Sequence, residues 1–134
     1  MRYVAQLDKT GCLVASTAMV LDLTYADVAQ VVPTDDASRY PLAGSNDEWW
    51  QVAFKGIQSL ASAKGETVVE LERPYMVQFG LRYLAMVPTD TPNFHHVLAV
   101  DETGIAFDPC NEDGHKPWSE YQIIALLEFQ PSGE

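Results

Sequence analysis

Cys12 stands where a polar turn meets an apolar run, in the stretch QLDKTGCLVASTAMVL (6–21). A cysteine at a helix N-terminus has its thiolate stabilised by the helix dipole and by backbone N–H groups that lack partners within the helix. The same N–H groups can hold an oxyanion. Gln6, six residues upstream of Cys12, offers a side-chain donor to the same hole. A thiol nucleophile also needs a base, and the base needs an orienting group. The second half of the chain supplies both in FHHVLAVDETGIAFDPC (94–110), where a histidine opens one expected strand and Asp108 closes the next.

Turn chemistry chooses between His95 and His96. If the hairpin loop is Glu102-Thr103 alone, Asp108 lies opposite Val97 and faces the His95 side. If Gly104 belongs to the loop, Asp108 lies opposite Leu98 and faces the His96 side. A three-residue hairpin wants a left-handed residue in third place, and glycine suits it. In that register the Cβ atoms of His96 and Asp108 are diagonal neighbours about 7 Å apart or somewhat less, within reach of a hydrogen bond. His96 is therefore the favoured base, and His95 reads as a hydrogen-bonded strand histidine.

These residues need elements to carry them. Residues 13–23 are apolar nearly all round, which predicts a buried helix with Cys12 at its start. Thr24 with Asp27 reads as a capping box opening a short helix, Tyr25 to Val31, closed by Pro33. The turn-rich stretch 33–47 reads as a surface loop, with Asn46 or Asp47 capping the next helix. Trp49, Ala53, Ile57, Leu60 and Lys64 follow helical spacing, and Gly65 fits the position after the helix end. Trp49 and Trp50 read as core and rim packing. The period then changes, and 66–71, 81–87, 95–100, 104–108 and 122–129 read as strands. Helices first and an antiparallel sheet after them predict an α+β fold, the N-terminal helices packed on the sheet, in a single domain spanning 1–134.

Taken together, Gln6, the six-residue step to Gly11-Cys12, the apolar helix, the histidine-headed apolar strand and Asp108-Pro109 resemble papain-like cysteine peptidases. The pattern is most similar to the bacteriocin-processing group, which cuts after double-glycine leaders. That group shows a Gln, a Gly-Cys-Gly-like turn, a His heading a strand and an Asp-Pro. The resemblance runs from Gln6 to about Phe129. It implies a papain-like fold with Cys12 as nucleophile, His96 as base, Asp108 as orienter and Gln6 as oxyanion donor. It also implies a peptide or protein substrate and no cofactor. Leu13 departs from the pattern, standing where the family commonly has a small residue, and Val14-Ala15 stand where Pro-Ala often follows. A bulkier mouth at Leu13 would narrow the substrate range or mark lost activity. No stretch reads as a transporter part, so neither an exporter role nor leader-peptide specificity is carried over.

Composition narrows the alternatives. The 134 residues are 47% hydrophobic with a net charge of −11. The length suffices for one domain with a real core. So acidic a chain repels nucleic-acid phosphates and anionic membranes, which excludes direct nucleic-acid binding as an expectation. No apolar run approaches the roughly 20 residues of a membrane span, and the start of the chain is not a signal-peptide pattern. Two cysteines, Cys12 and Cys110, make no disulfide framework and suit a reducing compartment, the cytoplasm. A metal reading on His95 or His96 with Cys110, His115 or Cys12 matches no zinc-finger spacing, and adjacent strand histidines point to opposite faces, so no metal is expected. The competing expectation is a catalytically impaired binding module or inhibitor of the same fold, its acidic surface engaging a basic protein partner.

Overall fold

The apolar run that begins at Cys12 folds as helix α1 (Cys12–Leu21), and every one of its residues is buried. Its length ends at Asp22, which takes a left-handed conformation at the C-cap. In the computed structural model, which describes residues 1–7, 11–33, 48–90 and 95–132, two further helices follow. They are α2 (Tyr25–Ala29) and α3 (Glu48–Ala63). The expected capping box is present on α2. The Thr24 side chain accepts from the Asp27 N–H, and the Asp27 carboxylate accepts from the Thr24 N–H. Of the expected loop over 33–47, residues 34–47 fall outside the described residues, as does the expected cap at Asn46 or Asp47.

Among the described residues six strands come next: β1 (Glu66–Glu70), β2 (Arg82–Pro88), β3 (His95–Val100), β4 (Ile105–Asp108), β5 (Asn111–Pro117) and β6 (Ala125–Pro131). All pairings are antiparallel, in the order β1-β6-β2-β3-β4-β5. The fold is α+β, with the helices packed on an antiparallel sheet. One sheet face, bearing Leu84, Met86, Val97, Ala99 and Leu127, is buried against all three helices. The other, bearing Tyr83, Ala85, Leu98, Val100 and Leu126, is covered by side chains of the 71–81 and 118–123 segments. Because both faces are covered, β2 reads as a continuous apolar run from Tyr83 to Val87 rather than an alternating one.

β5 is the strand that the sequence pattern passes over. Its residues, NEDGHKP, offer no apolar alternation, and it pairs with β4 through an irregular register at the sheet edge. Charged side chains and a terminal proline are what an exposed edge tolerates. β6 also begins and ends two to three residues later than the apolar run 122–129 suggests.

Side-chain bonds tie α1 to the sheet: Arg82 of β2 donates to the Val20 carbonyl at 2.9 Å, and a second bond lies at the helix start. Ser16 Oγ donates to the Val97 carbonyl at 3.0 Å inside the core. Ser16 lies one helical turn after Cys12, and Val97 follows His96, so this bond fixes the helix start relative to the strand start. Ser16→Ala is expected to cost about 1–3 kcal/mol, because a buried carbonyl loses its donor. A urea titration of the variant checks this, and an unchanged midpoint would show that the bond does not hold α1 to β3.

Candidate functional site

The β3–β4 hairpin takes the three-residue form. Ala99 pairs with Phe107 and Val100 with Ala106. The loop is closed by Asp101 N–H donating to the Ile105 carbonyl and Gly104 N–H donating to the Asp101 carbonyl. Gly104 has φ of 82°, the left-handed region. Asp101 Oδ1 accepts from the Thr103 N–H, the Thr103 hydroxyl and the Ile105 N–H, which pins the loop from within. Carried one residue on, this register sets Asp108 across from Leu98, on the His96 side of the strand pair.

The hydrogen bond follows. His96 Nε2 lies 2.7 Å from Asp108 Oδ1. With Nε2 on the carboxylate, Nδ1 is the nitrogen left for the thiol, and Cys12 is near enough to act on the ring. Burial disfavours a charged ring here, but Asp108 and Cys12 outweigh it and hold the His96 pKa up to about 9. Asp108 shows the mirror effect. Burial raises its pKa, while the His96 bond, the Cys110 N–H and the positive charges of His96 and Lys116 pull it below the usual carboxylate value. His95 lies across from Pro88 in the strand register, and Asp108 bonds His96.

Cys12 sits at the α1 N-terminus behind Gly11, which has no side chain with which to cap the first N–H groups. Its own side chain is 1% exposed. Gln6 is brought beside the Asp108-Pro109 turn. Its backbone N–H donates to the Pro109 carbonyl at 3.1 Å, and the Tyr3 hydroxyl donates to the same oxygen at 2.8 Å. The turn is closed by the Cys110 N–H, which donates to Asp108 Oδ1 at 2.8 Å. An open cleft of about 510 Å³ runs alongside, lined in part by Tyr3, Gln6, Leu7, Pro109 and Cys110. A second hollow of about 360 Å³ lies at the far end of α1, beside Asp22, Lys64 and Arg82, with no cysteine or histidine in its walls.

Sequence reasoning missed three supports of this arrangement. Ser16 carried a signal, since most buried hydroxyls find a hydrogen-bond partner. Tyr3 carried none, because its partner is the carbonyl of Pro109, far along the chain. The Cys110 backbone N–H was hidden in the same way as any main-chain donor in a turn. His115, which the metal reading included, stacks on Phe107 with ring centroids 4.1 Å apart.

No protein-family model matches the chain, and no curated protein matches it. A solved structure does. The double-glycine-motif protease of an AMS/PCAT transporter, determined in complex with the leader peptide, aligns over 98% of this chain and 91% of its own, with a TM-score of 0.58 at 18% identity. The chain has the fold of a double-glycine-motif protease.

Within this double-glycine-protease fold the departure at Leu13 takes a different meaning from the one the sequence suggests. Leu13 is 1% exposed and belongs to the core, as do Val14 and Ala15, so the leucine does not form the mouth of the site. It directs its bulk inward because every direction around α1 meets protein. Among the described residues, no helix is long and apolar enough to cross a membrane.

Proposed function

We propose that this chain is a thiol hydrolase, a cysteine peptidase that opens peptide bonds through Cys12. One observation carries the reading: a single imidazole, His96, is hydrogen-bonded to the Asp108 carboxylate and is acted on by the Cys12 thiol at the start of a buried helix. The fold shared with a double-glycine-motif protease supports it. A peptide is the substrate class that the reading implies, and the chemistry calls for no cofactor. A reducing compartment such as the cytoplasm suits Cys12 and Cys110 as free thiols.

The steps follow from the residues. In the resting pair His96 holds the proton drawn from the Cys12 thiol, and the thiolate of this pair attacks the carbonyl carbon. The oxygen becomes an oxyanion, held by the Cys12 backbone N–H and the Gln6 amide. His96 then gives its proton to the leaving amine, and the C–N bond breaks to leave a thioester on Cys12. Water attacks the thioester with His96 as base, the acid departs, and the thiol is restored. Asp108 holds the ring in the orientation that both proton transfers need.

Gln6 gives the sharpest test, because an oxyanion donor acts on a charge present in the transition state and absent from the resting complex. Gln6→Ala is expected to lower kcat for a cleaved peptide by about 100-fold with KM little changed. The melting temperature should stay near that of the parent. Unaltered turnover would remove Gln6 from the oxyanion hole.

The 1% exposure of Cys12 and the net charge of −11 favour a second reading, in which the chain binds a basic protein and its thiol is silent. Substitution at Cys12 separates the two.

A further inference from the structure

We propose that the β3–β4 hairpin also carries a site for a zinc-like divalent ion, formed by His96, Asp108 and Cys110, through which metal turns the thiol off. One ligand atom from each of these residues, a nitrogen, a carboxylate oxygen and a sulfur, lies within 4.8 Å of the other two. A tetrahedral zinc ion with bonds of about 2.0–2.3 Å sets such ligands about 3.3–3.6 Å apart, a spacing that lies between the 2.7 Å of the His96–Asp108 pair and the 4.8 Å limit of the set. The donor types select the ion. Zinc accepts imidazole, carboxylate and thiolate together, whereas magnesium and calcium favour oxygen throughout.

The surroundings favour an ion that comes and goes. Cys110 is exposed and lines the open cleft, which gives a route from solvent and leaves the fourth coordination position to water. The Cys110 N–H on Asp108 Oδ1 is an outer bond that fixes how the carboxylate is presented. Sequence spacing hides the site because one ligand is an aspartate and all three belong to a single hairpin and the turn after it.

On binding, the Cys110 thiol and the His96 ring each release a proton to solvent and give the freed electron pair to the ion. A metal-held imidazole can neither take the Cys12 proton nor return it to a leaving amine. The inhibitory consequence rests on the peptidase reading; the binding itself does not.

The experiment uses the reduced full chain and Co²⁺ as a spectroscopic probe. The parent is expected to bind one Co²⁺ with a thiolate-to-cobalt charge-transfer band, which Zn²⁺ bleaches by displacement. Cys110→Ala should lose the band and bind Co²⁺ at least about 10-fold more weakly, while Cys12→Ala keeps the band. Absence of the band in the parent overturns the site. So does a band that survives in Cys110→Ala and vanishes in Cys12→Ala. In peptide hydrolysis, with each protein compared with its own metal-free rate, Zn²⁺ should inhibit the parent but not Cys110→Ala. Equal inhibition of both proteins overturns the regulatory role. If the parent binds Co²⁺ through Cys110 yet cleaves no peptide, the metal site stands and the peptidase reading falls.

Discussion

Cys12→Ser is expected to lower kcat by on the order of a million-fold, as loss of a nucleophile does, while leaving the fold and substrate binding in place. The substitution changes volume little at a position that is 1% exposed, so the core around α1 has small cause to rearrange. A serine hydroxyl beside His96 is far less acidic than a thiol, and this site binds its nucleophile through an imidazole already protonated over the neutral range. The variant should therefore trap bound peptide without cleaving it. Mass spectrometry should find a thioester-linked acyl group on the parent during turnover and none on the variant. A binding module predicts the opposite pattern. Cys12→Ser would then behave as the parent in every assay, and charge reversals among the acidic surface residues would weaken the complex. Full cellular activity of Cys12→Ser would end the catalytic reading.

His96→Ala should cost about ten-thousand-fold in kcat/KM, the upper end of what general acid–base catalysis supplies. The pH profile of the parent carries the same assignment. The His96 pKa is raised from 6.5 to about 9, so the imidazolium persists through neutral pH and loses its proton as pH rises through about 9. The form that can protonate a leaving amine is lost in that range, and kcat/KM should fall there on the alkaline side. The measurement belongs in the presence of a chelator, so that no metal competes for the ring. His95→Ala should retain both the rate and the alkaline limb. A fall centred near pH 6.5 would mean that Asp108 and Cys12 do not act on the ring as described.

How much of this was legible before the structure depends on the residue. Cys12, His96 and Asp108 could be read because each occupies an element boundary: a helix start, a strand start and a strand end. Such boundaries follow from period and turn chemistry, which are local. Gly104 decided the histidine because left-handed backbone is a property of one residue and its type. Leu13 could not be read in the same way. Its position beside the nucleophile suggests a mouth, and only the packing around α1 turns it into core. β5 stayed hidden because none of its residues is buried, so no apolar pattern is written into its sequence. Ser16 and Tyr3 were missed for a further reason: each meets a main-chain carbonyl, and carbonyls carry no sequence signature.

The hairpin loop at Glu102-Thr103-Gly104 ties reactivity to parity. Side chains alternate along a strand, so adding or removing one loop residue transfers Asp108 to the opposite side of the sheet. A two-residue change preserves the side and shifts only the distance. Length variants of this loop should therefore fall into odd and even classes. In the odd class the chain would keep Cys12, His96 and Asp108, yet Asp108 would face away from His96. On the peptidase reading, a one-residue indel in this turn would silence the chain with Cys12, His96 and Asp108 still in its sequence.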